Sequence, residues 1–425
     1  MVNPAARVKF VRKNLLGRKR EPTVRVVSAE EGQDQEGEEE DIVSIMKEIE
    51  TDTTIARDEV IAKCQSLYRE AQGEPELDRE QLKRYLDSAF SNDFPPQMVA
   101  LDASQPWILY WTANSLKLLD EGYLSDRCKR RICEKLFAIS ESGGPFGGGV
   151  GQLPHLASTY AAVSALALCD NVEGYWDRIN EKAIYDWLLS LKQPDGGFRT
   201  CRGVGETDTR GVYCALSIAS LLNILTDELC EGVANFLVRC QTYEGGFGGC
   251  PHGDEAHGGY TFCSVASLAI LGELDKIDLS SLMQWCSQKQ YEPEKGLSGR
   301  TNKLVDGCYS FWVGGAAAIL ELYGHGECID KLALRKYILY CCQSGARPGL
   351  RDKPGTHPDL YHTNYVLLGL AITENLLGFS SDRQLNPAIK PIPISVPSRL
   401  SSINPIYGLP VKDFEKFTQH FRYED

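Results

Sequence analysis

The sequence predicts an all-α fold: an α/α barrel of about six helix-pair repeats, with an inner ring of helices inside an outer ring. Three observations lead there. Glycine-rich turns recur after helical stretches, as "SESGGPFGGG", "KQPDGGFRTC", "CQTYEGGFGG", "YEPEKGLSGR" and "CQSGARPGLRD". A short loop and a small, apolar run with a tyrosine follow each turn: "STYAAVSALAL", "GVYCALSIASLL", "GGYTFCSVASLAIL", "GCYSFWVGGAAAIL" and "TNYVLLGLAI", with "ILYWTANSLKLL" as an earlier member. The aligned tyrosines, Tyr110, Tyr160, Tyr213, Tyr260, Tyr309 and Tyr365, lie 47 to 56 residues apart, so one supersecondary unit is copied about six times.

Residues 1–45 come first. They are basic up to Arg20 and then acidic in "EEGQDQEGEEED", with nothing to build a core, and are expected to be disordered. A mitochondrial presequence fits poorly, because serine is absent from residues 1–20 and Pro4 and Gly17 interrupt any helix. The folded body is expected to begin between about residues 42 and 80. Residues 46–425 then form one barrel domain, with an irregular C-terminal tail from about 380.

Within a unit, "NEKAIYDWLLSLKQPDGGF" places Ile184, Trp187, Leu188 and Leu191 at i, i+3, i+4 and i+7. That is an amphipathic outer helix stopped by Pro194 and Gly196. The run after Tyr213 is apolar or small on nearly every face, and a helix apolar all round is buried. The segments are too long and too rich in Ala and Leu for propeller strands. An open solenoid would leave one flank of the inner helices exposed, and they have no polar flank. Closure into a ring follows.

Composition narrows the function. The 425 residues, 43% hydrophobic, suffice for a large core. A net charge of −13 argues against nucleic acid. The 15 cysteines, odd in number and without C-x-x-C spacing, read as reduced thiols of a cytoplasmic protein. No apolar run approaches the roughly 20 residues that span a bilayer.

Three residues before each repeat tyrosine stand Trp107, Ala157, Arg210, His257, Asp306 and His362. In a closed ring these equivalent positions share one rim, and core packing does not favour Arg, His, Asp and His there. Taken singly, Asp306 reads as a helix cap, Cys308 as core and His362 as a loop histidine. Together, Asp306, Cys308 and His362 from neighbouring units make a three-ligand zinc set with a vacant fourth position. His155, His252, His325, His357 and His420 lack such support. Inner-helix N-termini, with His257, Arg300, Lys303, Arg210 and Tyr309, suit a phosphate or diphosphate. Trp107, Trp111, Tyr160, Tyr213, Tyr260, Cys263, Trp312, Tyr361 and Tyr365 fall at or near inner-helix starts. They predict an apolar, aromatic cavity under the anion site, a shape for a lipid diphosphate.

The stretches "LDASQPWILYW", "EAHGGYTFC", "GRTNKLVDGCYSFW" and "DKPGTHPDLYHTNY" resemble the protein farnesyltransferase β-subunit family over about residues 95–375. The resemblance implies an α/α barrel paired with a separate helical-repeat α subunit. It implies transfer of a farnesyl group from farnesyl diphosphate to the cysteine of C-terminal C-a-a-X sequences. By motif, Asp306, Cys308 and His362 correspond to zinc ligands, and His257, Arg300, Lys303 and Tyr309 to diphosphate contacts completed by an α-subunit lysine. Arg210, Tyr213, Tyr260, Cys263, Trp312 and Tyr160 correspond to the isoprenoid tunnel, and Trp107, Trp111 and Tyr361 to peptide contacts. Asp352 resembles the carboxylate tied to magnesium dependence. By the same resemblance, bulky Trp107 and Tyr365 correspond to positions that shorten the tunnel, which implies the fifteen-carbon substrate. "EKGLSGR" and "GARPGLRD" depart from the family's Gly-Gly-Phe pattern, which affects turns between helices.

Three other readings are weighed. A type I geranylgeranyltransferase β subunit shares the class and differs in chain length. A terpene cyclase-like barrel needs an acidic D-x-D-D cluster, which this sequence lacks. A non-catalytic helical-repeat scaffold has no use for metal.

Overall fold

The computed structural model describes residues 51–422 apart from Glu74, 92–95, Glu141, Asp254, Ala346 and 380–386; the basic and acidic N-terminal stretches lie outside the described residues. Helices α1 (Asp52–Glu70) and α2 (Arg79–Ser91) come first. The ring runs through α3 (Gln105–Leu119), α4 (Asp126–Ile139), α5 (Leu156–Ala167), α6 (Glu181–Leu191), α7 (Thr209–Leu221), α8 (Asp227–Cys230) and α9 (Val233–Val238). It continues with α10 (Gly258–Leu271), α11 (Leu279–Gln288), α12 (Tyr309–Leu322), α13 (Lys331–Tyr337), a π-helical turn over Ile338–Cys342, and α14 (Leu360–Thr373). Helix α15 (Val411–His420) ends the described chain.

The expected barrel is the one observed. Helices α3, α5, α7, α10, α12 and α14 each pack on the next, and α14 closes onto α3. Burial separates inner from outer helices as their sequences do. In α10 every residue from Thr261 to Ile270 is buried. In α6 the buried residues are Ile184, Trp187, Leu188 and Leu191, the predicted stripe. Asn180, Asp278 and Asp330 cap the outer helices α6, α11 and α13, each accepting a hydrogen bond from a first-turn amide. The turn after α6 needs glycine at 196: its φ is +95°, and a Cβ there would meet the Gly232 carbonyl oxygen at 2.2 Å.

Among the described residues, the segment expected to be an irregular tail from about 380 contains short strands and a final helix. Strand β1 (Asn375–Phe379) pairs antiparallel with β2 (Pro387–Pro391), and β3 (Ile403–Asn404) with β4 (Leu409–Pro410). The turn between β3 and β4 enters the barrel axis. Tyr110 donates to the Gly408 carbonyl at 3.0 Å, Tyr213 to Ile406 at 2.9 Å and Tyr160 to Tyr407 at 3.4 Å. These carbonyls satisfy hydroxyls that the barrel interior would otherwise strand. Composition concealed this structure, because a plug is defined by where it inserts. Buried ion pairs fasten the region: Lys117 with Asp413 at 2.8 Å, Arg335 with Glu374 at 2.8 Å, and Lys331 with Glu321. No helix among the described residues is long and apolar enough to cross a membrane.

Candidate active site

The repeat phase brings the rim residues together. Asp306 and Cys308 lie at the start of α12, and His362 in the first turn of α14 beside it. Their ligand atoms all lie within 4.8 Å of one another. His362 Nε2 is 3.4 Å from Asp306 Oδ1. The two-residue step from Asp306 to Cys308 has a local cause, since Asp306 Oδ1 accepts the Cys308 amide at 2.8 Å. Asp306 is therefore both a backbone acceptor and a cluster member.

Asp359, which sequence reasoning missed, orients the histidine. It caps α14 by accepting the His362 amide, and its Oδ2 lies 2.7 Å from His362 Nδ1, leaving Nε2 to face Asp306. The D-x-x-H spacing was the available signal. A carboxylate holding one imidazole nitrogen while the other faces a donor cluster is the arrangement metal-ligating histidines favour. Thiol, imidazole and carboxylate at this separation fit zinc.

The electrostatics match a site built for a cation. Burial pushes the Asp306 carboxyl up, but His362 and the Cys308 amide outweigh it and hold it below its usual value. Burial, with the Asp306 charge beside it, pushes the Cys308 thiol well up. Burial lowers His362, yet the Asp306 and Asp359 carboxylates override it and bring the imidazole up to about 10.

Two cavities meet at this rim. The larger, about 790 Å³, is lined by Trp107, Trp111, Tyr160, Arg210, Tyr213, Tyr260, Cys263, Trp312, Tyr361 and Tyr365 among others. The smaller contains Lys303 and Asp306, and His257, Arg300 and Tyr309 border both. A closed circuit of aromatic contacts surrounds the larger cavity, and all its members but the buried Phe262 line it. Trp107 to Tyr160 is 5.6 Å between ring centres, Tyr160 to Tyr213 5.4 Å, Tyr213 to Phe262 5.3 Å and Phe262 to Trp312 5.3 Å. Trp312 to Tyr365 is 4.4 Å, Tyr365 to Tyr361 4.8 Å, Tyr361 to Trp111 5.6 Å, and Trp111 to Trp107 5.6 Å. Phe262 was not anticipated; it lies two residues after Tyr260 and reads as core.

His257 caps α10: its Nδ1 accepts the Gly259 amide at 3.0 Å. The proton of the neutral ring then belongs on Nε2, which donates to Tyr309 Oη at 3.1 Å, and the Tyr309 proton is free for the cavity. Burial, then Arg300, lowers the His257 pKa and keeps the ring neutral. Gly299 makes room for the phenol, because a Cβ there would lie 1.9 Å from Tyr309 Cζ. Arg300 Nη1 pairs with Glu255 Oε2 at 3.1 Å, a partner the sequence did not reveal. Arg210 is held by Asp208, Nε to Oδ2 3.1 Å, and lies 5.5 Å from the Tyr260 ring centre. Asp352 stands outside the metal-type cluster, its carboxylate engaged by Lys353 and Thr356. His155, read as structural, caps α5 by accepting the Ala157 amide at 3.1 Å.

A closed ring of helix pairs with a Cys–His–carboxylate rim above an aromatic cavity defines a class: the chain belongs to the prenyltransferase α–α toroid family, whose domain matches residues 77–409. Within it, the chain is 58% identical over 419 residues to protein farnesyltransferase subunit beta of Saccharomyces cerevisiae, covering 98% of this chain and 96% of that one. The subunit beta of Schizosaccharomyces pombe protein farnesyltransferase is 44% identical over 343 residues, 77% of this chain and 86% of that one. Among solved structures, Candida albicans protein geranylgeranyltransferase-I complexed with GGPP shares the fold, with a TM-score of 0.68 at 22% identity over 82% of this chain and 100% of that chain.

Proposed function

We propose that the chain is the catalytic β subunit of a zinc-dependent protein farnesyltransferase. It transfers a farnesyl group from farnesyl diphosphate to the cysteine thiol of C-terminal C-a-a-X sequences, as a heterodimer with an α subunit. One observation carries the reading: Asp306, Cys308 and His362 converge beside His257, Arg300 and Tyr309 at the mouth of an aromatic cavity. Two relatives are named as β subunits of this enzyme, which supports the heterodimer.

Asp306, Cys308 and His362 would hold zinc, which when bound supplies thiolate character to an incoming cysteine that would otherwise titrate near 8.5. The remaining work belongs to the chain's own residues. Arg300 and Lys303 offer positive charge, and Tyr309 a hydroxyl whose proton His257 leaves free. As the C–O bond breaks, charge grows on the departing diphosphate, and these donors stabilise it. Arg300 must then share itself between Glu255 and the diphosphate. The aromatic circuit excludes water from the isoprenoid, and Trp107, Trp111 and Tyr361 face the peptide's aliphatic side chains. Asp352 would assist magnesium at the leaving group only by releasing Lys353. All 15 cysteines are unpaired thiols, which fits a cytoplasmic location.

The test is co-expression with an α subunit, followed by zinc analysis and transfer to a C-a-a-X peptide. The expected result is one bound zinc and a farnesyl thioether; a complex that holds no zinc and forms no thioether overturns the reading. Competition between fifteen- and twenty-carbon diphosphates separates the geranylgeranyl alternative.

A further inference from the structure

We infer that Lys289, Thr301 and Glu244 form a positioning strut that fixes the two loops carrying the leaving-group residues, an inference that rests on the function proposed above. Lys289 ends α11 with its side chain buried, 3% exposed, and its ammonium 5.1 Å from the Trp285 ring centre. Among the described residues no carboxylate lies within ion-pair distance of it. Its charge is relayed instead. Lys289 Nζ donates to Thr301 Oγ1 at 2.7 Å, and Thr301 Oγ1 donates to Glu244 Oε2 at 2.7 Å. The other oxygen, Glu244 Oε1, accepts the Ala256 amide at 3.0 Å.

The two ends of this chain of bonds are the point. Thr301 lies between Arg300 and Lys303 in the loop after α11, and Ala256 between Glu255 and His257 at the entry to α10. The strut therefore locks the Arg300–Lys303 loop to the Glu255–His257 loop. The Arg300–Glu255 pair at 3.1 Å crosses the same gap on the cavity side. A hydroxyl that accepts from a cation and donates to an anion is polarised in both directions and holds a defined orientation. Stability alone gives little reason to bury an ammonium here, because an apolar chain of similar volume often serves as well or better. Geometry at the leaving group gives a reason, since small displacements of a charge clamp cost large factors in rate.

The experiment uses the full-length chain with its α subunit and zinc, and the variants Thr301→Val, Thr301→Ser and Lys289→Met. Four quantities are read: affinity for inorganic diphosphate, the single-turnover rate of thioether formation, zinc content and thermal midpoint. Thr301→Val is expected to weaken diphosphate binding and slow the single turnover by about 10- to 100-fold with zinc content unchanged, and to lower the midpoint because the buried Lys289 ammonium loses its acceptor. Thr301→Ser, which keeps the hydroxyl, should restore both. Lys289→Met should weaken diphosphate binding while holding or raising the midpoint. Undiminished diphosphate affinity in Thr301→Val overturns the strut, as does equal loss in Thr301→Val and Thr301→Ser. A wild-type complex that binds no diphosphate overturns the farnesyl-transfer reading itself, so the two failures are distinct.

Discussion

At His362 and Cys308 the chemistry is governed by protons. Between Asp306 and Asp359 the metal-free imidazole is charged at neutral pH, and the buried Cys308 thiol is protonated. A divalent ion takes neutral imidazole and thiolate, so loading must expel protons from both. Zinc affinity should therefore climb as pH rises toward about 10, where His362 gives up its proton, with the raised Cys308 thiol adding to the same trend. Calorimetric titration in buffers of different ionisation enthalpy reads the released protons directly, and a pH-independent affinity would contradict the assignment. Stability of the metal-free chain should move oppositely. A folded-state pKa raised from 6.5 to about 10 adds stability that is complete below 6.5 and vanishes as pH rises through 10. The orienting carboxylate is separable from the ligands: Asp359→Asn should weaken zinc binding by about 10- to 100-fold while the fold persists.

Among the elements, the loop before α12 carries the tightest constraint. Gly299 faces the Tyr309 ring at a distance no Cβ tolerates, so Gly299→Ala must displace the phenol from His257. Overpacking of this kind costs about 1–3 kcal/mol. The expected outcome is a lowered thermal midpoint and a slower single turnover with zinc retained; an unchanged rate would remove Tyr309 from the leaving-group machinery. Gly258, at the start of α10, guards the same ring, since its Cβ would lie 2.9 Å from Tyr309 Cδ1. Two neighbouring inner helices thus shape a space for one phenol.

The whole molecule is a ring with a floor. The floor is the turn between β3 and β4, hydrogen-bonded to Tyr110, Tyr160 and Tyr213, and α15 anchors it through Asp413 to Lys117 on α3. Lys117→Ala leaves Asp413 buried and unpaired, which should cost about 3–5 kcal/mol in denaturant unfolding; a neutral effect would show that α15 does not hold the plug. Cavity depth is likewise a property of the ring. Trp107 closes the aromatic circuit between Tyr160 and Trp111, so Trp107→Ala should raise the use of a twenty-carbon diphosphate relative to a fifteen-carbon one. Steady-state competition between the two measures the ratio.

Periodicity by itself determined the barrel, its six inner helices and the rim on which Asp306, Cys308 and His362 fall, because a repeat puts equal phases at equal places. The buried stripe of α6 was legible for the same reason: Ile184, Trp187, Leu188 and Leu191 obey helical spacing. Tertiary structure alone decided which neighbours support those residues. Asp359 behind His362, Glu255 against Arg300, the relay from Lys289 to Glu244 and the plug at Ile406–Gly408 each join groups whose partnership depends on how loops and tail fold back. Such contacts belong to no repeat, and a period cannot encode a bond formed only when the chain has closed on itself.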